Sequence, residues 1–324
     1  MRVLFWGTSD FALPTLRALD ASRHEVAGVV TQPDRPAGRG RKVRATPVKR
    51  AADEAGLEAI QPETPKGEAF LERLRALAPD VSVVAAYGEI LTEEVLEVPP
   101  EGSVNVHASL LPRLRGAAPV NWAVIRGHAR SGVSIMRMVR ELDAGPVYRR
   151  VEVEIGPRRT AGELFGELAE LGATALLETL EALEAGEAEA EEQDHGEATY
   201  APKLDRDTAR LDWSLPAADL DRWVRGCDPW PAAWSELETG DGERRPVQLF
   251  APEPDPAPIE DAGARPSRGA EPGTVLLADP RRGLRVAAGR GVLGIGEVKP
   301  AGKRRMEAVE WIRGRGVAAG QRFV

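Results

Sequence analysis

Asn105 and His107 stand two residues apart in the stretch SVNVHASLLPRLRGAAPV (103–120), and Asp143 follows in the turn ELDAGP. An amide, an imidazole and a carboxylate, with no serine or cysteine nucleophile beside a base, suit one kind of chemistry. The incoming substrate is itself the nucleophile, an amine attacking a carbonyl. The amide and a protonated imidazole can donate to the developing oxyanion, a role worth roughly 3–4 kcal/mol for one good donor. A nearby carboxylate can help move the proton off the attacking amine. Direct acyl or formyl transfer fits this set. Each residue alone has a plainer reading: a lone strand histidine is usually a satisfied core residue, and a lone aspartate near glycine a turn former.

The elements around these residues set where they would be placed and leave both readings open. In 103–109, Val104 and Val106 face one way and Asn105 and His107 the other, because strand side chains repeat with period two. Leu110-Leu111-Pro112 then ends the strand. Upstream, RVLFWG, HEVAGVVT, GLEAIQP and DVSVVAAYG read as strands, with helices at Phe11–Leu19, 47–55 and GEAFLERLRALAP between them and another at 117–127. This βαβ rhythm predicts an α/β fold with a doubly wound, mostly parallel, Rossmann-like sheet. Ligands bind such sheets outside the carboxyl ends of the strands. GTSD, TQPDRPAGRGR, AAYGEIL, NVHASLLP and ELDAGP converge at that edge.

GVSIMRMV and GPVYRRVEVEI read as a hairpin added to the sheet. A long helix starts at TAGE, where Thr160 and Glu163 have capping-box spacing, and ends near Gly186. From TARLDWS onward, one helical piece (AADLDRWVRGC) and short strands between Gly and Pro turns predict a small β-barrel. The expected division is a catalytic domain over 1–189, an acidic linker over 190–207 and the barrel over 208–324. Residues 252–272, with six prolines, read as a surface loop.

Composition narrows the function classes. The chain of 324 residues carries a net charge of −8, but unevenly. Residues 34–50 hold seven Lys or Arg against one Asp, and 281–324 hold eleven against three acids, while 181–197 hold eight acids and no base. Two basic islands in an acidic chain are a nucleic-acid signal. A single cysteine, Cys227, excludes an intramolecular disulfide framework and fits a reducing cytoplasm. Four scattered histidines give no metal-ligand spacing. No apolar run approaches the ~20 residues of a membrane span, and no signal-peptide pattern opens the sequence. Gly7 alone, in FWGTSDFA, lacks the further glycines of a dinucleotide site.

NVHASLLPRLRGAAPVNWA together with ELDAGP resembles the signature of the folate-dependent formyltransferases. GTSDFA, AAYGEIL, YAPKLDRDTARLDWS, RGCDPWPAAW and KPAGKRRM extend the resemblance nearly end to end. It implies transfer of the formyl group of 10-formyltetrahydrofolate to the amino group of methionyl initiator tRNA, for initiation of translation, with Asn105, His107 and Asp143 as the catalytic trio. Ser109, Leu110, Leu111 and Pro112, with Tyr87, Gly88, Ile90 and Leu91, would hold the folate. The basic loop with Arg35, Arg39, Arg41, Lys42 and Arg44 would enter the acceptor end of the tRNA. The barrel, OB-like in the family, would add Lys303, Arg304 and Arg305. No metal, membrane or protein partner is implied, and a cytoplasmic monomer is expected. Trp6, where the family usually has a small residue, is expected to alter packing beside the site, and ELDAGPVY departs from the family's polar loop.

Overall fold

Residues 1–120, 130–154 and 164–202 form one unit, and 121–129, 155–163 and 203–324 a second. The computed structural model describes residues 1–37, 42–239, 242–254 and 270–324. The first half of the chain runs β1 (Arg2–Gly7), α1 (Ala12–Asp20), β2 (Glu25–Val30), β3 (Arg35–Ala37), β4 (Lys42–Arg44), α2 (Pro47–Ala55), β5 (Ala59–Ile60), α3 (Glu68–Ala76), β6 (Val81–Ala85), α4 (Glu93–Leu96), β7 (Ser103–His107), α5 (Pro119–Ile125), β8 (Arg130–Arg137), β9 (Val147–Glu154) and α6 (Ala161–Ala185). Seven strands make one sheet in the order β5-β2-β1-β6-β7-β8-β9. The first five are mutually parallel, and β8 and β9 add an antiparallel hairpin beyond β7.

Local signals bound the helices, α2 over the expected 47–55 among them. Thr46 caps α2 by accepting from the Lys49 N–H at 3.0 Å, Pro47 opens it, and Gly56 ends it in the left-handed conformation. Thr160 and Glu163 form the reciprocal capping box of α6. The hydrogen bonds from Thr160, its backbone N–H first, hold the Glu163 carboxyl below its usual range. The third expected strand shrinks to Ala59–Ile60 at the sheet edge.

Register sets the face on which the site is built. Val30, Trp6, Val84, Asn105, Met136 and Val147 are successive cross-strand partners, so their side chains share one face of the sheet. Val30, Trp6 and Val84 belong to a core cluster with Leu71, Leu74 and Tyr87. Met136 and Val147 belong to another with Leu111. On the opposite face, Gly172 of α6 lies against Val106 and Val133. Trp6 is fully buried two strands from Asn105, its ring edge-on to Tyr87 at 5.3 Å and its N–H directed to Ser82 Oγ at 3.2 Å.

The acidic stretch after α6 is more than a tether. Glu191 and Val147 exchange backbone hydrogen bonds of 2.8 and 2.9 Å, and Ala201 donates to the Arg115 carbonyl at 2.7 Å. The acidic stretch as far as Pro202 belongs to the first unit.

In the second unit, α7 (Ala217–Gly226) precedes β10 (Trp234–Glu238), β11 (Arg244–Pro254), β12 (Val275–Asp279), β13 (Gly283–Ala287), β14 (Val292–Pro300), β15 (Met306–Glu307), α8 (Ala308–Arg313) and β16 (Arg322–Phe323). The antiparallel order is β12-β13-β14-β11-β10-β16, with β15 on β14. The two ends meet: Val275 N–H donates to the Gln321 carbonyl and Phe323 N–H to the Gly273 carbonyl, each at 2.8 Å. Gly273 has φ +88°, and a Cβ there would lie 2.0 Å from the Phe323 carbonyl oxygen, so this closure needs glycine. Inside, Trp213 stacks on Phe323 at 5.6 Å. Of the expected Pro-rich loop, 252–254 belong to β11 and 255–269 lie outside the described residues.

Candidate active site

The strand β7 ends at the carboxyl edge of the parallel strands and carries Asn105 and His107 on one face. Asn105 is half-buried in a row whose neighbours are Val84 and Met136, and its amide makes no hydrogen bond among the described residues. Leaving a polar group of this kind unsatisfied costs about 1–3 kcal/mol when fully buried. Packing alone would place an aliphatic side chain there, so the amide is available to a ligand.

His107 is 6 % exposed. Its Nε2 lies 3.1 Å from the Leu114 carbonyl oxygen, which can only accept, so Nε2 carries a hydrogen. Nδ1 is left facing Asp143 Oδ2 at 3.7 Å. That gap exceeds a direct hydrogen bond and can be bridged by a ligand atom or water. The same Oδ2 accepts the Gly116 N–H at 2.8 Å, which fixes the carboxylate from the far side.

The corner after β7 is pinned at several points. Ser109 Oγ donates to the Arg113 carbonyl at 2.6 Å, and Leu111 N–H donates to Ser134 Oγ at 3.1 Å. Ser134, the cross-strand partner of His107, returns its hydroxyl to the Ser109 carbonyl at 2.7 Å. Leu111–Pro112 is a cis peptide, and Leu114 has φ +59°. The Asp143 turn is equally constrained, with Asp143 at φ +50°. A Cβ on Gly145 would lie 1.9 Å from the Arg137 carbonyl oxygen, so only glycine permits that approach.

Two residues that sequence reasoning missed complete the site. Gln193 Nε2 donates to the carbonyls of Asp143 and Gly145 at 2.9 and 2.7 Å. Gln193 Oε1 accepts from Arg115 Nε and Nη2 at 3.2 and 2.7 Å. The one available signal was an uncharged amide inside an acidic run, EAEEQDHGE, since the partners lie 48 to 78 positions away.

The other expected residues divide. Ser109 and Leu111 are buried in the corner beside His107, with Leu110 and Pro112 partly exposed. Tyr87 and Leu91 pack into the Trp6 cluster, Gly88 takes φ +93°, and Ile90 is 83 % exposed. Burial pushes the Tyr87 hydroxyl well above its usual range, so it stays protonated. A cavity of about 480 Å³ lies farther along the face, lined in part by Leu96, Ser103, Met138, Val139, Arg140 and Glu141. Ser103 is two residues before Asn105 on the same face of β7, and Arg137 to Glu141 belong to the segment leading to Asp143; Asn105, His107 and Asp143 are not among the lining residues.

Arg35 and Arg44 are exposed on the β3–β4 hairpin, Arg35 4.0 Å from Glu89. Lys42 pairs with Ala37 through its backbone, and Arg39 and Arg41 lie outside the described residues. In the barrel, Lys303 and Arg304 are exposed, Arg304 3.6 Å from Glu310. Arg305 is differently placed. It donates to both carboxylate oxygens of Asp228 at 2.9 and 3.2 Å and to Glu297 at 2.6 Å, and its guanidinium covers the Phe250 ring at 3.9 Å. Its charge is paired with two carboxylates, while its side chain remains 39 % exposed. Among the described residues no group of His, Cys, Asp and Glu could hold a metal ion, and no helix is long and apolar enough to cross a membrane.

Comparison with known proteins follows the division of the chain. Residues 1–180 match the family described as "Formyl transferase", and 203–316 match "Formyl transferase, C-terminal domain". A protein of Desulfotalea psychrophila named "Methionyl-tRNA formyltransferase" is 46 % identical over 319 residues, covering 98 % of this chain and 94 % of its own. One of the same name from Symbiobacterium thermophilum is 44 % identical over 323 residues, covering 100 % of this chain and 95 % of its own. Two solved structures are alike in fold. HypX from Aquifex aeolicus in complex with tetrahydrofolic acid has a TM-score of 0.60 at 18 % identity, with 96 % of this chain and 46 % of that one covered; this chain spans about half of HypX. WlaRD, a sugar 3N-formyl transferase, has a TM-score of 0.61 at 12 % identity, with 94 % and 99 % covered.

Proposed function

The chain belongs to the formyl transferase family, and from that premise we propose that it moves the formyl group of 10-formyltetrahydrofolate onto the amino group of methionyl initiator tRNA. The observation that carries the chemistry is the Asn105 amide, without a partner among the described residues, facing the same side as His107 beside Asp143. The tRNA substrate rests on relatives of that name that align over nearly the whole chain, barrel included.

The reaction forms a bond between the methionyl nitrogen and the formyl carbon and breaks the bond from that carbon to N10 of the folate. The attacking amine loses a proton, and N10 gains one as it leaves. Asn105 Nδ2 supplies a donor to the formyl oxygen as it becomes an oxyanion. His107 has Nε2–H committed to the Leu114 carbonyl, so Nδ1 is the nitrogen that meets substrate, and it donates there when the ring carries both protons. Asp143, held by the Gly116 N–H, accepts the proton of the amine and relays it towards the leaving nitrogen. Each donor to the oxyanion contributes roughly 3–4 kcal/mol, a factor of about 10²–10³ in turnover.

A folate fits what the site offers. Its flat head group needs an apolar slot with polar edges, and the cavity lined by Leu96, Ser103 and Met138 is within the ~300–1,000 Å³ usual for such ligands. The corner 109–112 and the segment 87–91 are the folate contacts that the family resemblance implies, although the cavity itself is lined by other residues, Leu96, Ser103 and Met138 to Glu141 among them. The β3–β4 hairpin, with Arg35, Lys42 and Arg44 and the adjoining Arg39 and Arg41, reaches the acceptor end of the tRNA, and Lys303 and Arg304 add charge on the barrel. The protein works as a monomer in the cytoplasm. Incubation with 10-formyltetrahydrofolate and either methionyl initiator tRNA or small amines, including amino-sugar nucleotides, tests the reading. Formylation of the tRNA is the expected result, and formylation of a small amine alone overturns it.

A further inference from the structure

We infer that Gln193 and Arg115 are positioning residues for formyl transfer, a bracket that holds the Asp143 carboxylate at its working distance from His107. The inference rests on the function proposed above. Asp143 adopts φ +50°, a left-handed conformation that costs a residue with a side chain roughly 1–2 kcal/mol. Such a backbone persists only where its surroundings hold it.

The holding group is one amide. Gln193, 4 % exposed, spends both of its N–H hydrogens on a single turn, at the carbonyls of Asp143 and Gly145 on either side of Ala144. A planar NH₂ that meets two carbonyls fixes their separation and direction together. Its orientation is not free to reverse. Turned over, its oxygen would face two carbonyl oxygens and its NH₂ would face the guanidinium of Arg115, whereas now Oε1 accepts from Arg115 Nε and Nη2.

Arg115 is anchored in turn. Its N–H donates to the Thr199 carbonyl at 2.9 Å, its own carbonyl accepts from Ala201 at 2.7 Å, and Nη2 meets His195 Nδ1 at 3.1 Å. The next residue, Gly116, gives the N–H that holds the Asp143 carboxylate. The bracket therefore reaches Asp143 twice, at the backbone through Gln193 and at Oδ2 through Gly116. Arg115 is 9 % exposed and has no carboxylate partner among the described residues. A buried, unpaired cation is an expensive way to gain stability. What it secures is the direction of the Gln193 amide, and through it the geometry of the reacting groups.

Gln193→Glu tests this with little change of shape, because it keeps the acceptor facing Arg115 and replaces the two donors by a second oxygen. With wild-type protein as control, kcat for formylation of methionyl initiator tRNA should fall on the order of 10²-fold, as for a misplacement of about 1 Å. The Michaelis constants for the folate and the tRNA should stay within about twofold, because ground-state binding is untouched. Turnover within about threefold of wild type, or a loss of folate affinity that matches the loss of turnover, overturns the inference. Should Gln193→Glu fail to fold, Arg115→Lys applies the same test, since it keeps the charge and loses the planar fork. A smaller loss of kcat at constant Michaelis constants is then expected, and unchanged kcat overturns the inference. Wild-type protein that formylates no tRNA would refute the proposed function itself and is read separately.

Discussion

Replacing Asn105 by leucine should make the protein more stable and nearly inactive at once. Leucine shares the branched four-atom skeleton of asparagine, and the site lies in a row between Val84 and Met136. The amide has no protein partner among the described residues, so nothing is orphaned by removing it. A fully buried unsatisfied polar group costs about 1–3 kcal/mol; a half-buried one falls at the low end, about 1 kcal/mol. For a domain of about 150–250 residues, 1 kcal/mol shifts Tm by roughly 2–4 °C. The same change removes one oxyanion donor, about 3–4 kcal/mol of transition-state stabilisation, or about 10²–10³ in kcat. Thermal melting followed by circular dichroism and single-turnover formylation of methionyl initiator tRNA measure the two quantities. Turnover within about tenfold of wild type would remove Asn105 from the mechanism, since a lost donor costs about 10²-fold or more. A Tm lowered by several degrees would show that the amide has a structural bond, and the argument from its lack of a partner would fail.

His107→Ala should reduce kcat by a similar factor, about 10²–10³, with folate affinity measured by fluorescence titration largely kept. Near wild-type turnover would reject its role. Replacing Arg35, Lys42 and Arg44 together by serine should raise the Michaelis constant for tRNA and flatten its dependence on salt, by a slope of about 0.7–0.9 for each phosphate no longer neutralised. An unchanged slope would mean that the hairpin does not touch RNA. Arg305→Ala should instead lower Tm and leave the salt slope alone, because it takes the cation from the largely buried Asp228 and the partly exposed Glu297. A reduced slope at constant Tm would return Arg305 to the RNA surface.

The parts of the site written in adjacent residues were legible from sequence. Asn105 and His107 declare a shared face by their spacing, and the Leu-Leu-Pro corner declares the end of the strand. The capping-box spacing of Thr160 and Glu163 likewise placed the start of a helix closely, because a cap is a contact over three residues. Gln193 and Arg115 were not legible, because their partners lie far along the chain and each looks like an ordinary surface residue. Arg305 shows the opposite limit of composition. It sits in a basic island, yet Asp228 and Glu297 neutralise it through contacts that no composition window contains. Ala59–Ile60 fell short of the expected strand because an edge position has one neighbour to pair with, and β2 offers only Val29 and Val30.

The seam of the barrel has a consequence for how the second unit comes into being. The strand that closes it, β16, follows the other six in sequence, and it meets Gly273–Val275 at the start of β12. Until residues 321–323 are in place, β12 presents an open row of backbone donors and acceptors, and Trp213 lacks the Phe323 ring that covers it. An unclosed sheet of this kind is a template for another chain. The few residues of β16 therefore act as a latch against association, and losing them should first appear as aggregation of the protein, before any change in its chemistry.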